Sequence, residues 1–110
     1  MRPVVGLIEK IVFSTHGEKK ITARIDTGAT MSSVDSQLVK SLQLGPAVSR
    51  INVRSAHGMQ TRPLIRATII LKKMTITGLF TIAQRSHMTY PVLIGQNILK
   101  KGKFLVDPLK

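Results

Sequence analysis

The sequence predicts an all-β chain closed into a small barrel, with one short helix near its C-terminus. Two observations carry this expectation. Most segments read as short strands separated by turn clusters, and helical spacing of apolar residues is confined to short stretches. The 110 residues fit a single domain spanning 1–110. Hydrophobic residues make up 43% and aromatics only 4%, so Val, Ile, Leu and Met must fill the core. A chain this short leaves little stability in reserve, and pairing with a second copy would bury further apolar surface.

Taken in order, residues 7–13 form a β-branched run that stops at the turn cluster Ser14-Thr15-His16-Gly17. Residues 20–25 alternate polar and apolar, so one face is buried, and the two runs read as a hairpin leading to Asp26. Residues 36–42 place apolar side chains at helical spacing behind a possible cap at Ser36, and Gly45-Pro46 then breaks the chain. Residues 49–55 and 61–65 flank His57-Gly58-Met59-Gln60 as a hairpin with a polar, Gly-containing tip. Residues 66–71 and 74–82 pair around Lys72-Lys73. Residues 91–94 make a short apolar strand, 95–100 one helical turn ended by Gly102, and 103–106 a final strand before Asp107-Pro108.

Composition narrows the function classes. With no cysteine there is neither a disulfide framework nor a Cys-based metal site, and the redox compartment is unconstrained. No apolar run approaches the roughly 20 residues of a membrane helix. The opening Met1-Arg2-Pro3-Val4-Val5-Gly6 lacks the apolar length of a secretory signal, so a cytoplasmic location is the default expectation. The net charge is +12, from 17 Lys and Arg against 5 Asp and Glu. Such a balance reads either as a solvated surface or as attraction to polyanions such as RNA or an acidic peptide. Phe13, Phe80, Phe104 and Tyr90 are too few to supply the stacking platform of a single-strand binder. Neither metal nor cofactor is expected: there is no His-Glu-x-x-His, and His16, His57 and His87 are scattered.

The stretch with the clearest chemistry is Asp26-Thr27-Gly28-Ala29, answered far downstream by Val92-Leu93-Ile94-Gly95. A bare Asp-Thr-Gly arises by chance in about 2 of 100 chains of this length, so its placement behind an alternating strand is what gives it weight. In that context the chain resembles the retropepsin-like aspartic proteases over nearly its whole length. Asp26 to Ala29 match the active-site turn, residues 91–99 match the apolar strand, Gly and short helix, and the hairpin around Gly58 falls where the family places its flap. The segment at residues 85–95, the tail at 102–108 and Arg62-Pro63 are similar to a subgroup labelled ATP-dependent zinc proteases, the relatives of RimB. That resemblance implies a closed acid-protease barrel with one half-site per chain, and trimming of glutamate tails added by a RimK-type ligase. The chain departs from the retroviral pattern at Thr30 and Gln96, where an Asp and an Arg pair in many members. Losing both charges together avoids a buried unpaired ion.

Peptide hydrolysis by aspartates needs two carboxyl groups facing one water. One takes a proton from it, while the other, protonated, hydrogen-bonds the scissile carbonyl and later helps protonate the leaving amine. Carboxylates this close cannot both ionise easily, so the pair shares a proton. The chain offers Asp26, Asp35 and Asp107. Asp35 reads as an exposed or capping residue and Asp107 as turn chemistry before a proline. The second carboxyl group is therefore expected from Asp26 of another copy across a two-fold axis. Thr27 would bridge to the partner turn. Gly28 would permit a backbone geometry that a Cβ blocks and donate its amide to Asp26. Ala29 would keep the groove open, and Gly58, Met59 and Gln60 would close over substrate. Arg54, Arg62 and Arg66 lie on the flap arms, where they could pair with acidic side chains. The leading expectation is a homodimeric aspartic endopeptidase, acting on peptides that include acidic ones. The alternative is a non-catalytic basic β-barrel dimer that binds RNA or a ribosomal surface.

Overall fold

The structure is a computed structural model that describes residues 1–14, 19–55 and 58–110. Two expected features fall mainly outside these residues: the turn cluster at 14–17 and the His57 part of the hairpin tip. Within them the chain runs β1 (Val4–Val5), β2 (Ile8–Phe13), β3 (Ile21–Ile25), β4 (Ser32–Asp35), α1 (Ser36–Ser41), β5 (Ala47–Ser55), β6 (Gly58–Leu71), β7 (Met74–Ala83), β8 (Val92–Ile94), α2 (Gln96–Lys101) and β9 (Leu105–Val106). No helix among them is long and apolar enough to cross a membrane.

The strands close into the expected barrel. The main sheet runs β2-β3-β8-β4-β7-β6-β5, and β2 also pairs with β6 through Val12↔Ile70 and Phe13↔Ile69. That extra pairing turns an open sheet into a ring and leaves β5 outside it as one arm of the flap. The interior is filled from every wall. Phe13 and Phe80 meet with ring centroids 5.8 Å apart at 59°, a tilted packing that aromatic pairs favour. Ile11, Ile65, Ile69, Ile94 and Ile98 surround them and are fully buried. Below the ring, α2 presses on β7 at Gly78, where an added Cβ would lie 2.5 Å from Ile98 Cδ1.

Four features differ from the sequence expectation. Residues 58–71 form one 14-residue strand rather than two. Its first residues are exposed flap, and from Leu64 onward it alternates as barrel wall, so the change is one of surroundings and not of backbone. Strand β4 was not expected, because Val34 is the one strand-favouring side chain in Ser-Ser-Val-Asp. It exists through its neighbours, running parallel to β7 and antiparallel to β8, and is buried along its whole length. The short helix expected at residues 36–42 forms as α1, but its N-cap is Asp35, not Ser36: Asp35 Oδ2 accepts from the Gln37 N–H at 3.2 Å. Asp35 is a capping residue as expected, but buried rather than exposed. Finally, β1 pairs in parallel with β9 to make a small separate sheet.

The β6–β7 hairpin turns on Lys72 and Lys73, at φ 52° and 66°, between the paired residues Leu71 and Met74. Two left-handed residues in succession make a type I′ turn, which matches strand twist but favours Asn and Gly over side chains such as Lys. Replacing Lys73 with Gly is expected to raise unfolding free energy by about 0.5–1 kcal/mol. Urea denaturation at fixed protein concentration measures this, and a loss of stability would contradict the turn assignment.

Candidate active site

Asp26 stands where β3 runs out. Its N–H donates to the Ile94 carbonyl at 2.9 Å, extending the parallel β3–β8 ladder by one step. The chain then turns sharply. Gly28 N–H donates to Asp26 Oδ1 at 2.9 Å, and Ala29 N–H donates to the Asp26 carbonyl at 3.3 Å. Asp26 is half-buried, whereas Thr27 and Gly28 are exposed. The carboxylate is therefore oriented by the backbone while facing outward. Gly28 donates its amide as the sequence suggested, but not because of unusual dihedrals, since it lies outside the left-handed region. Its constraint is proximity: a Cβ there would sit 3.3 Å from Asp26 Oδ1.

What fixes this turn comes from the other end of the chain. Gly95 approaches so closely that a Cβ on it would fall 2.7 Å from the Ala29 carbonyl oxygen and 2.9 Å from that of Met31. The buried Ser32 hydroxyl accepts from Gly95 N–H at 2.9 Å and donates to Asn97 Oδ1 at 2.8 Å. Asn97 Oδ1 also accepts from Ser32 N–H at 2.9 Å, and Asn97 Nδ2 donates to the Leu79 carbonyl at 2.8 Å. Gln96 N–H donates to the Ala29 carbonyl at 2.7 Å, and Gln96 Nε2 donates to the Thr27 carbonyl at 2.8 Å. At the two positions where a charged pair was missed in the sequence, a neutral amide ties α2 to the turn. Ser32 and Asn97 escaped the sequence reading because isolated polar residues carry no periodicity. Only the nearby Gly95 hinted at a close approach.

Beside the turn, a cleft of about 490 Å³ opens between Gly28, Ala29 and the flap. Arg54 and Arg62 line it, as does Arg85, which the sequence reading did not single out. Among the described residues no Asp or Glu lines this cleft. Arg85 is held by Nε donating to the Tyr90 carbonyl at 3.1 Å and Nη1 donating to Ser33 Oγ at 3.4 Å. Its own N–H donates to Asp35 Oδ1 at 2.7 Å. Burial, and then the neighbouring Arg62, push the Arg85 guanidinium below its usual value, with Asp35 opposing. Cations thus crowd one wall, with Asp35 and Asp26 offsetting part of their charge at Arg85.

The remaining expected residues are dispersed. Gly58 and Met59 are not at the turn of the flap but are its first β6 residues, paired with Ser55 and Arg54, and neither lines the cleft. Arg66 faces outward, paired with Leu79 in the barrel wall. Asp107 makes local turn contacts, with Oδ1 accepting from Leu109 N–H at 2.9 Å. His87 is exposed, and among the described residues no three His, Cys, Asp or Glu side chains gather as metal ligands.

A family model described as the RimB-like, retropepsin-like aspartic endopeptidases matches residues 43–110, the part of the chain that holds the flap, β8 and α2. Asp26 lies before that span. No curated protein matches the chain. A crystal structure of a protein of unknown function from Legionella pneumophila is similar at TM-score 0.73 and 19% identity, over 100% of this chain and 96% of that one. The solution structure of the simian foamy virus protease is similar at TM-score 0.64 and 13% identity, over 84% of this chain and 91% of that one. These likenesses concern the fold.

Replacing Ser32 with Ala would leave the Gly95 N–H without its buried acceptor. The expected cost is about 2 kcal/mol. Urea unfolding of the variant measures it, and an unchanged midpoint would show that the hydroxyl does not hold the turn.

Proposed function

The chain belongs to the RimB-like family of retropepsin-like aspartic endopeptidases, and from that premise we propose that it hydrolyses peptide bonds as a homodimer in which each copy supplies Asp26. The observation that carries this reading is the Asp26 carboxylate itself, half-buried and oriented by the Gly28 amide in a turn whose Gly28 and Ala29 line a cleft. Asp35 is buried as a helix cap and Asp107 is engaged at the tail, so neither is free to be its partner. A two-fold axis beside the turn brings the second carboxyl group from another copy. The exposed Thr27 hydroxyl of each turn is then placed to bridge to its mate. The water between the two Asp26 side chains loses a proton to the ionised one, and its oxygen attacks the carbonyl carbon. The protonated one donates to the carbonyl oxygen, and the proton gained by its partner passes to the leaving amine.

The cleft favours acidic peptides. Arg54, Arg62 and the pinned Arg85 offer donors with no carboxylate of this chain among the lining residues. An anionic side chain entering there gains charge-assisted bonds at little ordering cost.

Asp26→Asn is expected to lower the cleavage rate of unstructured and glutamate-rich peptides at least about a thousandfold while leaving circular dichroism unchanged. Equal activity in the two proteins would defeat the assignment. Arg62→Met is expected to raise KM about tenfold for a glutamate-containing peptide, while KM for its glutamine counterpart stays as in the unsubstituted protein. A parallel rise for both peptides would remove charge recognition from the account.

A further inference from the structure

A second pocket, of about 430 Å³, lies on the opposite side of the Asp26 turn from the arginine cleft. Thr27, Gln96 and Phe104 line it together with Arg2, Lys100 and Lys103. Among the described residues no Asp or Glu lines it. Among the described residues the ion pair formed is Lys72 with Glu9, at 3.4 Å, so these three cations are not neutralised within the chain.

Two details show that the charge is brought together from separate places. Arg2 comes from the N-terminus, carried in by the β1–β9 pairing and by Leu105 N–H donating to the Pro3 carbonyl at 2.9 Å. Lys103 occupies the position after the α2 cap, with its N–H on the Lys100 carbonyl and the Phe104 N–H on that of Leu99. That end motif favours glycine, yet the chain keeps a lysine there at φ 55°. A helix C-terminus welcomes Lys100 and Lys103, but it does not account for Arg2.

We propose that this pocket binds a small multivalent oxyanion and that its occupancy controls assembly of the dimer. The proposal rests on the homodimer reading above, which sets Thr27 and Gln96 beside the two-fold axis. Two copies meeting there bring two sets of like charges toward one another, and such charges repel over the roughly 8 Å screening length of physiological salt. Monovalent salt screens that repulsion only in part. A bound oxyanion cancels it locally and bridges Arg2, Lys100 and Lys103 as charge-assisted acceptors.

The test uses sodium tripolyphosphate, with sodium chloride at matched ionic strength as control, on the unsubstituted chain and on K100A/K103G. Lys103→Gly suits the left-handed backbone, so the variant should fold. Calorimetry reads binding, and sedimentation equilibrium reads the monomer–dimer constant. The expected result is tripolyphosphate binding by the unsubstituted chain, about tenfold tighter to the dimer than to the monomer, so that at saturating anion the dimer constant tightens about tenfold per occupied site. The variant should lose that binding and dimerise more tightly in chloride alone. Retained binding in the variant, an equal shift in chloride, or no binding at all would overturn the proposal. If both proteins dimerise alike without regard to tripolyphosphate, the anion site fails and the homodimer stands. If both stay monomeric in every arm, the homodimer reading fails, and control of assembly falls with it.

Discussion

The Ser32 hydroxyl is the point on which this architecture turns. It accepts a hydrogen bond from Gly95 N–H and donates one to Asn97 Oδ1, in a site with no solvent access. Through it the segment after the Asp26 turn, the end of β8 and the start of α2 are locked together. Few alternatives would do. An apolar side chain would strand the Gly95 amide, and any side chain on Gly95 would collide with the Ala29 and Met31 carbonyl oxygens. The barrel supplies rigid walls, but this polar joint decides where the carboxylate points.

Most of the fold could be read from the chain, for identifiable reasons. The β2–β3 hairpin and the β6–β7 pair announce themselves through β-branched runs and alternation. The short strand before Gly95 and the helix ended by Gly102 carry their own punctuation. Strand β4 could not be read, because Ser32, Ser33 and Asp35 are polar, Val34 alone gives no alternation, and the strand geometry comes from β7 and β8 on either side. The same blindness applies to the site. Asp26, Gly28 and Ala29 form a compact motif, whereas Ser32, Arg85 and Asn97 enter only by distant contacts. A local pattern signals a turn or a strand, but it carries no record of which far-off residue will satisfy a hydrogen bond.

Charge is organised rather than merely abundant. Of the 17 Lys and Arg, Arg54, Arg62 and Arg85 line the flap-side cleft and Arg2, Lys100 and Lys103 line the other pocket. Residues of the Asp26 turn border both cavities. The arginines beside the flap are planar donors with part of their geometry already fixed, as in Arg85, which suits discrimination among substrates. The lysines of the other pocket are flexible point charges, which suits neutralisation by whatever anion is at hand.

The joint at Ser32 also orders events in time. Synthesis delivers Asp26 early, but the residues that hold its turn, Ile94 to Asn97, emerge only after the flap and most of the barrel. Throughout that interval a nascent chain carries the acid without the frame that aims it. The Asp26 side chain is thus aimed only after nearly all of the barrel has been made, so its orientation is among the final things the chain acquires.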